Sequence, residues 1–179
     1  MAIFVRKDSA IAARYNANTN EALTESLSNQ SLGLGDTNST TGYHVACWYL
    51  VKQGICSTNF SSVTHFGGQQ RVINAVINGN AAVGAGNLDL VDDNPELLVI
   101  AKHPIRELGL CWVAGKTLNT VETNIAAHLR VCLTQMKDQA ILSKLESEVI
   151  GFGTPGTNAL GLLREIMREP KPFFKAPRP

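Results

Sequence analysis

The segment Leu32-Gly-Leu-Gly-Asp-Thr-Asn-Ser-Thr-Thr-Gly-Tyr-His44 passes from a short apolar run through a turn and a cluster of hydroxyl residues into a helix. Residues 32–36 read as a strand running into a turn. Residues 37–43 read as a cap-rich loop, and residues 44–53 as an amphipathic helix that Gly54 stops. A strand, a loop and a helix in that order form one unit of an α/β architecture.

The same unit repeats on either side. Residues 2–5 are β-prone, and residues 16–30 suit a modest surface helix with Leu23 and Leu27 four apart. Residues 62–66 form a strand, Gly67-Gly68 a tight turn, and residues 69–78 a helix. That helix carries Val72, Ile73, Val76 and Ile77 on one face and ends at Gly79. Strands follow at 81–86, 97–102 and 109–114. Helices follow at 120–139, with 140–145 continuing it or starting another, and at 159–168. Four of the chain's seven prolines stand between 170 and 179, which reads as an irregular, loosely ordered tail. Alternating strands and helices predict a mostly parallel central sheet with helices on both faces.

The loop before the helix at residue 44 has its own chemistry. The first amides of a helix lack intrahelical partners, and the helix dipole puts partial positive charge there. Ser39, Thr40 and Thr41 add hydroxyls, and Gly42 lets backbone approach a ligand closely, so the stretch can cradle an anion. A plain helix cap by Ser39 or Thr40 explains part of the same pattern, and spacing alone leaves both readings open.

Composition excludes several other roles. The 179 residues are 44% hydrophobic and 17% charged, with 16 basic against 15 acidic side chains and a net charge of +1. This is a globular composition, and with no basic stripe it argues against nucleic acid as a partner. Residues 1–8 show no basic leader, long apolar core or small-residue cleavage site, and read as a strand that begins mid-protein. Cys47, Cys56, Cys111 and Cys132 show no paired ligand spacing, and His65, His103 and His128 lack an i,i+4 partner, so no metal site is expected. Cys47 and Cys132 sit in apolar helical contexts and read as buried free thiols, with a Cys47–Cys56 bridge conceivable. His44, just inside the helix, is a packing histidine or a proton donor to a ligand.

Enzyme motifs fail one by one. Gly84-Ala-Gly86 follows a strand, but Asp89 stands where a dinucleotide fingerprint needs its third glycine. Gly151-Phe-Gly-Thr-Pro-Gly156 lacks the lysine of a phosphate loop, and no GxSxG elbow occurs. Whether Cys47 and His44 form a catalytic pair is a question of geometry. No catalytic residue and no cofactor is expected.

The run Leu34-Gly-Asp-Thr-Asn-Ser-Thr-Thr-Gly-Tyr43, followed by a helix that ends Val51-Lys-Gln-Gly-Ile55, resembles the phosphate/phosphite/phosphonate substrate-binding proteins of ABC transporters. So does His65-Phe-Gly-Gly-Gln-Gln-Arg-Val-Ile-Asn-Ala-Val-Ile-Asn-Gly-Asn-Ala-Ala-Val-Gly-Ala-Gly-Asn87. Thr154-Pro155 and Leu163-Arg-Glu-Ile166 are similar to the family's closing segment, so the resemblance reaches to about residue 169.

The resemblance implies a two-lobed periplasmic-binding-protein fold that binds rather than catalyses. Ser39, Thr40 and Thr41 would give hydroxyls and amides to a phosphonate, phosphite or phosphate, beside the amides of Gly42 and Tyr43. Gln69 stands where the family carries its binding histidine, so a neutral amide replaces a group able to take charge. Asn87 or Asp89 would face the cleft from the strand exit Asn87-Leu-Asp89, and Asn87 there would favour a simple oxyanion or alkylphosphonate.

The implied organisation is a hinge strand at 1–8, ligand-binding lobe two at 9–109, a return strand at 110–114, helices of lobe one at 115–169, and the tail. Lobe one would lack its own sheet, so apolar faces at 120–145 and 159–167 would need a missing lobe-one segment or a homodimer partner. The implied partners are the small oxyanion and an ABC permease, at an extracytoplasmic location. A receptor's sensing domain or, less readily, an enzyme for a phosphorylated compound would use the same fold.

Overall fold

In a computed structural model the described residues are 1–15, 20–103, 125–145, 151–154, 161, 164–168 and 173–174. The chain divides into two compact units, one of Met1–Arg106 with Leu162–Pro179 and one of Glu107–Gly161.

The first unit is built on a five-stranded sheet ordered β3-β2-β4-β1-β5. The strands are β1 (Ala2–Arg6), β2 (Ser31–Leu34), β3 (Ser62–His65), β4 (Val83–Gly86) and β5 (Leu97–Lys102). β2 runs parallel to β3 and β4, whereas β1 lies antiparallel between β4 and β5. Four strands therefore point one way and β1 alone opposes them. The expected α/β fold with a mostly parallel sheet holds, with β1, next to the edge strand β5, as its one reversal.

Helices α1 (Ala10–Arg14), α2 (Asn20–Leu27), α3 (Ala46–Lys52) and α4 (Gln69–Ile77) fill the connections. α4 covers one sheet face. Its Val72, Ile73 and Val76 are buried with Ala2, Phe4, Ala81, Val91 and Leu97, and Ile77 packs partly buried against them. Asn78 ends the helix, and Gly79 follows at φ +75°, a left-handed conformation that suits glycine. Packing is close enough that Gly84 sits under the Phe4 ring without room for a Cβ. Ile3 and Val5, which alternation directs to the opposite face, are buried as well, as are Ala46, Cys47 and Leu50 of α3.

Four expectations change. Leu23 and Leu27 of α2 are buried, so that helix seals a core rather than resting on the surface. Cys132 is exposed, whereas Cys47 is a buried thiol that desolvation pushes up to about 12. Cys47, Cys56 and Cys132 are all free, so no Cys47–Cys56 bridge forms. In the tail, Phe173 is fully buried against Phe60, with ring centroids 6.2 Å apart, so this residue is firmly packed. A phenyl ring buries enough apolar area to fix a segment that proline content alone marks as loose.

In the second unit α5 (Ile125–Gln135) and α6 (Gln139–Leu142) are separate helices. Asp138 starts α6 by accepting the Ala140 amide at 2.9 Å. Ile125, Leu129, Val131, Ile141 and Leu145 are exposed, as is Met167 of the first unit. The expected strand at 109–114 lies outside the described residues, with Cys111, the start of the helix at 120 and residues 159, 160, 162 and 163 of the helix at 159–168. Among the described residues no helix is long and apolar enough to cross a membrane.

Candidate functional site

The parallel strands β2, β3 and β4 deliver their C-terminal ends to one edge of the sheet, the usual place for a ligand in an open α/β sheet. Short backbone bonds tie the exits of β2 and β3 together. Gly35 N–H donates to Gly42 O at 2.9 Å and Asp36 N–H to Gly67 O at 2.6 Å, joining the loops after β2 and β3. The Asp36 carboxylate accepts the Asn38 amide at 2.8 Å, and its carbonyl accepts that of Ser39 at 2.8 Å. These bonds shape the turn into which residues 32–36 were expected to run.

The helix that follows opens unusually wide. Thr40–Val45 is π-helical, with His44 N–H reaching back five residues to Ser39 O at 3.1 Å. Such widened turns leave early amides without close intrahelical partners and recur at functional sites. Ser39 acts as the cap, its Oγ accepting Gly42 N–H at 3.1 Å. Ser39 thus caps the helix, as the plain capping reading has it, and Thr40 is exposed beside it. A Cβ on buried Gly42 would stand 3.1 Å from Ser39 Oγ, 3.5 Å from Gly35 Cα and 3.7 Å from Ala85 O, so a side chain there would press on the Ser39 cap.

Gln69 connects the remaining parts. At the start of α4, its Nε2 donates to Thr41 Oγ1 at 3.0 Å, and its Oε1 accepts Asn87 N–H at 2.6 Å. One carboxamide thus joins the exits of β2, β3 and β4. Because Thr41 Oγ1 already accepts from Gln69, its own hydroxyl hydrogen is directed away from that bond. The Asn87 side chain donates to Asp89 Oδ2 at 3.3 Å. All seven residues singled out in the sequence, Ser39, Thr40, Thr41, Gly42, Tyr43, Gln69 and Asn87, therefore lie at the same strand ends.

Burial biases three side chains next to the loop, His44, Tyr43 and Cys47, toward their neutral forms. Burial lowers the His44 pKa, only partly opposed by the Thr37 backbone, and its buried Nδ1 has no partner of hydrogen-bond geometry. A histidine held below its ordinary value is a poor proton donor near neutrality. Burial also raises the Tyr43 phenol and, more strongly, Cys47, so Cys47 with His44 offers no thiolate nucleophile. Among the described residues no group of three or more His, Cys, Asp or Glu could hold a metal ion.

Two participants escaped the sequence reading. Arg71, in the first turn of α4, carries its guanidinium to 3.8 Å from the position of a Cβ on Gly67, bringing a positive charge to the rim. A lysine or arginine near a helix start is too common to flag. Phe174 stacks on Tyr43 with ring centroids 6.3 Å apart and an interplanar angle of 26°, a contact that depends wholly on tertiary folding.

Comparison with known proteins places these observations. The family model for the ABC transporter, phosphonate, periplasmic substrate-binding protein matches residues 1–155. No curated protein matches the chain. Among solved structures, PhnD1 from Prochlorococcus marinus in complex with methylphosphonate is similar, with a TM-score of 0.68, 18% identity, and coverage of 93% of this chain and 65% of that one. XAC2383 from Xanthomonas citri bound to chloride ion gives 0.66, 19%, 96% and 65% in the same order. A binding protein component of an ABC phosphonate transporter from Pseudomonas aeruginosa gives 0.63, 21%, 95% and 57%. The chain thus spans less than two thirds of the length of these three, and at such identities the likeness establishes the fold.

Proposed function

We propose a function from the premise that this chain belongs to the ABC-transporter phosphonate periplasmic substrate-binding protein family, a family of binding proteins rather than enzymes. The chain binds a phosphonate-, phosphite- or phosphate-type oxyanion at the helix N-terminus formed by residues 39–43, with Gln69 and Asn87 completing the cradle. It carries that ligand in an extracytoplasmic compartment to an ABC permease. The observation that carries this reading is the Gln69 carboxamide, which links the Thr41 hydroxyl to the Asn87 amide.

The chemistry suits a compact anion. The Thr40 and Thr41 hydroxyls and the first helical amides donate, and the helix dipole adds attraction of about 0.3–1 kcal/mol. Each hydrogen bond to a charged oxygen adds about 1.5–3 kcal/mol. Arg71 at the rim favours approach of anions through its longer-range field.

The domain reading follows from the same premise. Residues 9–109 act as the ligand lobe, and a further lobe-one segment or a second copy covers the exposed apolar side chains Ile125, Leu129, Val131, Ile141 and Leu145.

A thermal-shift panel tests the site. Methylphosphonate at about a hundred times its Kd should add roughly 2.7 kcal/mol of stability. Phosphate, phosphite and aminoethylphosphonate rank the ligand class, and sulfate serves as the control. The shift should shrink or vanish in a Ser39→Ala/Thr40→Ala protein. Equal shifts with sulfate, or an undiminished shift in the double variant, would remove the cradle from the account.

A further inference from the structure

Three aromatic rings from three distant parts of the chain meet beside the cradle. Tyr43 follows Gly42 directly, and its ring lies 5.4 Å from that of His65, tilted by 57°. Phe174 stacks on Tyr43 at 6.3 Å and lies 6.3 Å from His65, closing the triangle. The cluster stands at the ligand end of the sheet. His65 is the last residue of β3, and its Nδ1 donates to Gly35 O at 3.0 Å, at the exit of β2.

Phe174 is held in this place by its neighbour. Phe173 is fully buried and meets Phe174 edge-on, with centroids 5.0 Å apart and planes at 87°. Phe174 itself remains 43% exposed. An anchored aromatic residue thus offers part of its ring to solvent beside a row of anion-binding donors. The core has no need of that arrangement, since Phe173 already seals it.

We propose that Tyr43, His65 and Phe174 form a subsite for the organic substituent of the oxyanion, suited to an aryl or similarly flat apolar group. This rests on the oxyanion reading above, because it is the anion's attachment at residues 39–43 that brings its substituent next to Tyr43. A flat ring gains offset or edge-to-face contact with such a cluster in addition to the burial of its area. A methyl group or a bare oxygen leaves most of the ledge uncovered. An aryl phosphonate should therefore bind about tenfold more tightly than its methyl counterpart.

The experiment is isothermal titration of the full 179-residue chain with phenylphosphonate and with methylphosphonate, read as the ratio of the two Kd values. The unaltered chain should give a ratio of about ten, Phe174→Ala a ratio near one, and Phe174→Tyr a ratio close to the original. A Phe174 that only supported the fold would shift both Kd values together and leave the ratio intact. That result, or a ratio near one in the unaltered chain, would overturn the subsite while leaving the cradle standing. If neither ligand binds the unaltered chain, the oxyanion reading falls and takes the subsite with it.

Discussion

A Gln69→Leu protein is expected to lose oxyanion affinity by about 10- to 100-fold while remaining folded. Leucine is comparable to glutamine in bulk but apolar, so it neither donates to Thr41 Oγ1 nor accepts from Asn87 N–H, bonds of 3.0 and 2.6 Å in the native chain. The Thr41 hydroxyl is then free to turn its hydrogen elsewhere, and the loop after β4 is no longer tied to the helix start. Leaving the half-buried Asn87 amide unsatisfied should also cost about 1–3 kcal/mol of stability. Gln69→Glu separates the two effects. A glutamate keeps the acceptor for Asn87, so the melting temperature should stay near that of the native chain, but its negative charge repels the anion. Calorimetric titration with methylphosphonate, paired with thermal denaturation, checks both variants. Native affinity in either one would show that Gln69 does not organise the site.

The second large effect lies in the core. A Cβ at Gly84 would stand 2.5 Å from Phe4 Cζ, 2.6 Å from Phe4 Cε2 and 2.9 Å from Val76 Cγ2. Phe4 is fully buried on the interior strand β1 and Val76 is buried on α4, so neither can swing into solvent. Gly84→Ala should therefore destabilise the protein by about 2–3 kcal/mol, as overpacking commonly does. For a chain of this size that corresponds to a fall in melting temperature of roughly 4–12 °C. Adding Phe4→Leu, which removes the obstructing ring atoms, should restore part of the loss, because the two positions share one space. An unchanged melting temperature for Gly84→Ala would mean that β1 and β4 are not packed as described.

The two predictions draw on information of different kinds. The alternation of strands and helices from β2 to β4 was legible because each helix carries its own periodicity and Gly54, Gly67 and Gly79 mark the turns. The orientation of β1 was not legible. Its four buried residues would suit either direction, and only pairing with β4 and β5 selects the antiparallel one. The burial of Leu23 and Leu27 was hidden for a related reason, since a helix of mostly polar residues can still present two leucines to a core.

The site divides along the same line. Residues 39–43 announced themselves through local chemistry, hydroxyls and a glycine ahead of a helix. Gln69 and Asn87 were reached by resemblance, because the bonds that matter span 28 and 18 residues. The double duty of Gln69, as donor and acceptor together, emerges only when both partners are in place. Phe174 lies in a proline-rich tail whose composition says nothing of the ring stacked on Tyr43. Contacts between distant segments depend on the assembled fold, which no local pattern encodes.

The central claim is that the oxyanion sits on the first amides of the helix opened by Ser39. It is tested most directly by following backbone amide resonances while methylphosphonate is added to the isotopically labelled chain. The account predicts that the amides of Thr41, Gly42 and Tyr43 shift together, with that of Asn87, and saturate along one binding curve. Saturable shifts confined to residues away from the ends of β2, β3 and β4, or amides that stay in place at millimolar ligand, would contradict it.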